Sequence, residues 1–73
     1  MKRFTLVGVD GNAYAIMGYT RRAMKTAGFS KEEIDKMLED AKSSDYDHLL
    51  CVCMEWVDKS NEKLGLENED DEE

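Results

Sequence analysis

Seventy-three residues, 41% of them hydrophobic, 37% charged and none proline, fit one compact domain with a small core rather than a disordered chain. The longest apolar run, Leu49 to Met54, is far short of the roughly 20 residues a membrane helix needs, and Met1-Lys2-Arg3 leads into no signal-peptide core, so a cytoplasmic setting is expected. The formal net charge of −7 is concentrated at one end: Glu67, Glu69, Asp70, Asp71, Glu72 and Glu73 supply six of the 17 acids, leaving 11 against 10 Lys and Arg elsewhere.

A single domain over residues 1–65 and a disordered, solubilising acidic tail over 66–73 are therefore expected. Such a tail repels nucleic acid and acidic membranes, and its functional alternative is contact with a basic partner or imitation of phosphates. In the body, Phe4 to Val9 alternate, with Phe4, Leu6 and Gly8 on one face and Thr5, Val7 and Val9 on the other. This predicts a strand. Asp10-Gly11 can then be a hairpin turn that pairs Asn12 to Met17 back onto it, or the lead-in to a helix capped by Asn12. Ala13 and Ala15 favour the helix, as do Ala13, Ile16, Met17, Thr20, Ala23, Met24 and Ala27 at three-and-four spacing. Gly18 inside it costs about 1 kcal/mol against alanine and reads as a packing contact.

Gly28 suits the left-handed residue that ends a helix. Ser30 and Glu33 form a capping box, and Phe29 can staple onto Ile34. Ile34, Met37, Leu38 and Ala41 make the apolar stripe of a second helix running to about Lys42. A third begins at Ser43-Ser44-Asp45, with Ser44 and Asp47 repeating the capping logic. Its stripe is Tyr46, Leu49, Leu50, Cys53 and Val57, widened by Val52 and Trp56; the helix is expected to fray after Lys59, with Gly65 ending whatever remains. Tyr46, Met54 and Trp56 read as core. The expected fold is α+β and mostly helical: one short N-terminal strand, with the hairpin as its alternative, then a three-helix arrangement.

The search for chemistry excludes more than it finds. His48 has only Cys51 within reach on its own helix, with no third group to orient a pair. Cys51 and Cys53 point about 200° apart on a helix, cannot bridge, and with one histidine do not make four zinc ligands. Both read as small core or boundary residues in a reducing compartment. The acids follow no calcium-loop spacing, and Gly8-x-x-Gly11 lacks the third glycine of a dinucleotide fingerprint. No catalytic, cofactor or metal residue is assigned, and no cofactor and no enzymatic activity are expected.

Arg21, Arg22 and Lys25 form a basic patch, but the second helix exposes Glu32, Glu33, Asp35, Glu39 and Asp40, the wrong sign for a recognition helix in a groove. Met17-Gly18-Tyr19 resembles the loop of ubiquitin-associated domains over three residues, without the full helix that precedes it there. At a larger scale, Leu6 to Asp58 resembles a group of short, uncharacterised proteins encoded in bacterial genomes, especially in phage-like and mobile regions. Asp10-Gly11-Asn12-Ala13 and Asp45-Tyr46-Asp47-His48-Leu49-Leu50 carry that resemblance. It implies a bacterial or phage origin and an intracellular setting, and brings no activity.

These readings predict a non-enzymatic protein-interaction module, an accessory or host-modulating factor of a mobile element. The candidate surface is Arg21, Arg22, Lys25, Phe4 and Leu6. Because a lone strand leaves both edges unpaired, a homodimer through Phe4 to Val9 is also expected. An acidic mimic that occupies a nucleic-acid-binding protein, and a nucleic-acid binder that uses the basic patch, are the alternatives.

Overall fold

The computed structural model describes residues 2–66, which form three helices and no strand: α1 (Ala13–Ala27), α2 (Lys31–Ala41) and α3 (Tyr46–Leu64). The α+β expectation is thus corrected to an all-helical fold among the described residues. The acidic tail expected over 66–73 lies, apart from Leu66, outside them.

The helix starts follow local chemistry. Asn12 stands in extended backbone and its side-chain oxygen accepts from the N–H groups of Tyr14, at 2.8 Å, and Ala15, at 3.3 Å. That cap satisfies two of the orphan donors and decides the helix over the hairpin. Ser30 and Glu33 close a complete capping box. The Ser30 backbone N–H donates to the Glu33 carboxylate at 3.1 Å and holds that carboxyl below its ordinary pKa. On α3 the cap falls one residue later than the Ser44 expected: Asp45 accepts from the His48 N–H at 3.0 Å. Gly28, at φ 91°, ends α1 with its N–H on the Met24 and Lys25 carbonyls, a left-handed position that a β-carbon would strain.

Ile16, Met17, Met24, Ile34, Met37, Ala41, Leu49, Val52 and Cys53 form one core cluster drawn from all three helices. The α1 stripe expected from spacing is buried, Thr20 included, except Ala13, which is half-buried. On α3 the phase holds for Leu49, Cys53 and Val57, but two residues expected in the core, one at its start and one in its middle, are not there. Tyr46 and Met54 are exposed, at 43% and 55%, while Ser60 and Asn61 are buried. Buried hydroxyls bond back one turn, Thr20 to the Ile16 carbonyl at 2.9 Å and Ser60 to that of Trp56 at 2.8 Å.

Tyr46 of α3 bonds through its hydroxyl to the Gly11 carbonyl at the start of α1, and Phe29, just past the end of α1, stacks edge-on against Trp56 at 5.4 Å. α1 and α3 therefore run in the same direction and pack directly on each other, with α2 running back beside them. Phe29 takes Trp56 as its ring partner, and Lys63 Nζ sits 4.4 Å from its centroid.

Residues 2–12 form a strap rather than a strand. Asn61 clasps it in both directions: the Phe4 N–H donates to Asn61 Oδ1 and Asn61 Nδ2 donates to the Phe4 carbonyl, each at 2.8 Å. The Thr5 N–H donates to the Tyr19 hydroxyl at 2.8 Å, and the Phe4 and Tyr19 rings meet edge to face at 5.9 Å. Farther on, the strap bonds to itself. Val7 N–H reaches Thr5 Oγ1, Val9 N–H reaches the Leu6 carbonyl, and Asn12 N–H reaches Asp10 Oδ1. Gly8, at φ 88°, occupies the third position of the Leu6–Val9 turn, where a type II turn requires a positive φ. Local turns, Asn61 and the Tyr19 hydroxyl take the N–H groups of Phe4, Thr5, Val7 and Val9 that a ladder would have used. The strand-edge argument for a homodimer through Phe4 to Val9 falls with the strand.

Candidate interaction surface

α1 carries Arg21, Arg22 and Lys25 and no acid. α2 carries Glu32, Glu33, Asp35, Glu39 and Asp40 against Lys31 and Lys36, and α3 carries Asp47, Glu55, Asp58 and Glu62 against Lys59 and Lys63. Charge on this nearly neutral body is thus segregated by helix. At 3.6 residues per turn, Tyr14, Gly18, Arg21 and Lys25 fall within roughly 60° of arc, with Arg22 at the margin, on the side away from the core. Tyr14 is 80% exposed. Lys31 pairs with Asp35 at 3.1 Å and Lys59 with Glu55 at 3.4 Å, whereas Arg21, Arg22 and Lys25 have no ion-pair partner among the described residues.

Gly18 stands inside this face, and a β-carbon built on it meets nothing within 4 Å. The packing role expected for it is therefore absent from the monomer; the glycine leaves bare helix backbone between Tyr14 and the arginines. Gly18→Ala is expected to stabilise the isolated protein by about 1 kcal/mol, the full propensity difference, because no contact opposes it. A urea midpoint that does not rise would show that a neighbour already occupies the space.

Two of the cations continue into a cleft between α1 and α2. Arg21 and Lys25 form one wall, Phe29, Ile34 and Leu38 the floor, and Lys31 with Asp35 the other wall, around about 530 Å³. Phe4 and Leu6 are elsewhere. With Arg3, Thr5 and Val7 of the strap they border Met54, Val57 and Asp58 of α3, around about 290 Å³. Both are half-buried, held by the strap rather than offered to a partner, while Val7, which the alternation reading put on the other face, is 85% exposed. The structure therefore divides the expected surface: Arg21, Arg22 and Lys25 share a face, and Phe4 and Leu6 do not join it. The residues that sequence reasoning missed are Tyr14 and the α2 floor of the cleft. Tyr14 was legible from helical phase, being one turn before Gly18.

His48 bridges the turn between α2 and α3. Its Nε2 is 3.0 Å from both the Asp40 carbonyl oxygen and Asp40 Oδ1, and 3.4 Å from Ser43 Oγ. Serine, histidine and aspartate together invite a catalytic reading, but the protons are in the wrong places. A nitrogen facing two acceptors carries its proton, so it cannot take one from serine, and the Ser43 hydroxyl already donates to the Asp40 carbonyl at 2.7 Å. What the arrangement does is tie the last turn of α2 to the first of α3.

The hydrogen bond to the Asp40 carboxylate, with its charge and that of Asp45, raises the His48 pKa above its usual value, against a smaller opposing effect of desolvation. A raised folded-state pKa contributes stability below the unfolded value near 6.5 and loses it as pH rises through the folded one. The urea midpoint is expected to fall between pH 6 and pH 8, and Asp40→Asn should flatten that slope. An unchanged slope in Asp40→Asn would remove the clamp as its cause.

Cys53 is fully buried, and burial pushes its thiol pKa up. Cys51, expected at the boundary at least, is exposed. Among the described residues no group of three or more His, Cys, Asp or Glu side chains could hold a metal ion, and no helix is long and apolar enough to cross a membrane. No protein-family model, curated protein or solved structure matches the chain.

Proposed function

We propose that the protein is a non-enzymatic interaction module that meets another protein through the outer face of α1. The observation that carries this reading is the cationic triad Arg21, Arg22 and Lys25, without an ion-pair partner among the described residues, on a helix without acids, beside an exposed tyrosine and a glycine that leaves backbone open. Exposed aromatic and arginine side chains are the residue types that dominate binding energy at protein interfaces. The proton arrangement at His48 supports the non-catalytic part of this proposal, and free thiols at Cys51 and Cys53 are compatible with a reducing, cytoplasmic setting. An accessory or host-modulating role in a phage or mobile element is part of the same proposal, and rests on the sequence resemblance alone.

Affinity capture with the full chain and with an Arg21→Glu/Arg22→Glu/Lys25→Glu variant tests it. Proteins retained by the wild type should be lost by the variant and kept by a Lys36→Glu control on α2. Identical retention by all three would refute the α1 face.

A further inference from the structure

Arg21 and Lys25 belong at once to the outer face of α1 and to the α1–α2 cleft. Across that cleft Lys31 is already matched by Asp35 at 3.1 Å, so the two cations without an ion-pair partner among the described residues stand on one wall only. Between the walls the floor is apolar: Phe29 and Leu38 are half-buried, and Ile34 is 5% exposed. A cavity of about 530 Å³ is within the usual range for ligand pockets, roughly 300–1,000 Å³. Nothing in the α1 wall supplies a negative charge. An occupant complementary to this surface carries carboxylates along one side and apolar side chains beneath them.

We infer that the cleft is a docking groove for a short acidic, amphipathic peptide segment of a partner protein. The inference rests on the reading of α1 as the contact face and adds where on that face, and by what chemistry, the partner is held. Its apolar side chains lie on Phe29, Ile34 and Leu38 while its carboxylates meet Arg21 and Lys25. A nucleic-acid duplex fits less well. It presents a charge about every 1.7 Å, and one that reached both cations would bring phosphates against Asp35 and, beyond it on the exposed side of α2, Glu32 and Glu39. A peptide can place its charges only where the cations are.

Selection from a displayed library of random dodecapeptides on the full-length protein tests this. Recovered sequences should combine Asp or Glu with Leu, Ile, Phe or Trp, and their affinity should fall at least tenfold in Lys25→Glu and in Leu38→Gln. Leu38 also touches the core, so circular dichroism must show Leu38→Gln folded; Lys25, being exposed, gives the readout if it is not. Basic or purely polar selected sequences, binding that survives both substitutions, or tighter binding of a 20-base-pair duplex would overturn the inference. So would a dimer in light scattering that Leu38→Gln dissociates, which would give the groove to a second copy of the chain. Capture that depends on Arg22 but is unchanged by Leu38→Gln would overturn the groove while leaving the α1 face in place.

Discussion

Met24→Ala is expected to destabilise the protein by about 2–5 kcal/mol, the range for truncating a fully buried methionine. Met24 is 0% exposed and lies in a cluster with Ile34, Met37 and Cys53, so the side chain is enclosed by all three helices. A domain of this size has about 4–11 kcal/mol of stability in total, and the variant should therefore be partly unfolded at moderate urea. Met24→Leu, nearly volume-conserving, should cost less than about 1.5 kcal/mol. The decisive comparison is Met54→Ala. Met54 is 55% exposed at the edge of the strap groove, and its loss should stay within about 0.5 kcal/mol. Urea unfolding of the variants reads the ordering directly. Equal losses for Met24 and Met54 would mean that α1 or α3 is rotated from the packing described.

The contrast between those two methionines shows what the sequence could and could not disclose. Met24 lies in phase with Ile16, Met17, Thr20, Ala23 and Ala27, and local spacing was enough to place it. Met54 follows Cys53 by about 100° of helix turn, and whether that edge is covered depends on what else packs there. The boundaries of α1 and α2 were legible for the same local reason: Asn12, Ser30 with Glu33 and Gly28 act within a few residues of themselves, whereas α3 runs unbroken to Leu64, past the Lys59 where fraying was expected. The strap was not. Phe4 to Val9 has the alternation of a strand, but its hydrogen bonds go to Asn61, fifty-seven residues from Phe4, to the Tyr19 hydroxyl and to turns within the segment. A period of two reports which way side chains point and says nothing of where the N–H groups find partners. The surface divides along the same line. Arg21, Arg22 and Lys25 share a face by helical phase alone, whereas the cleft floor needs α2 laid beside α1, a packing relation that no local signal encodes. Asn61 itself left a faint mark, since Cys53, Val57 and Ser60 carry the core stripe toward it, and a polar residue at the end of an apolar stripe asks for a buried partner.

Asn61→Ala is expected to cost about 1–3 kcal/mol, because two hydrogen bonds worth roughly 0.5–1.5 kcal/mol each disappear at a site only 2% exposed. The loss should be local as well as global. Without the clasp, the strap has the Thr5–Tyr19 bond, the Phe4–Tyr19 ring contact and the packing of Leu6 and Val9 to hold it. Amide exchange at Phe4 and Thr5 should therefore accelerate far more than at Met24 or Cys53, whose exchange follows global unfolding. Asn61→Asp separates the clasp from mere loss of volume. A carboxylate can still accept from the Phe4 N–H, but its second oxygen faces the Phe4 carbonyl, where only a donor is tolerated. The protonated acid restores that donor. The introduced carboxyl should thus have a raised pKa in the folded state, so that its stabilising form is present below the unfolded carboxyl value near 3.9 and is lost as pH rises through the folded one. Relative to wild type, Asn61→Asp should be closest in stability near pH 3 and weakest near pH 7. A constant difference across that range would show that the side chain does not hold the strap by donating and accepting at once.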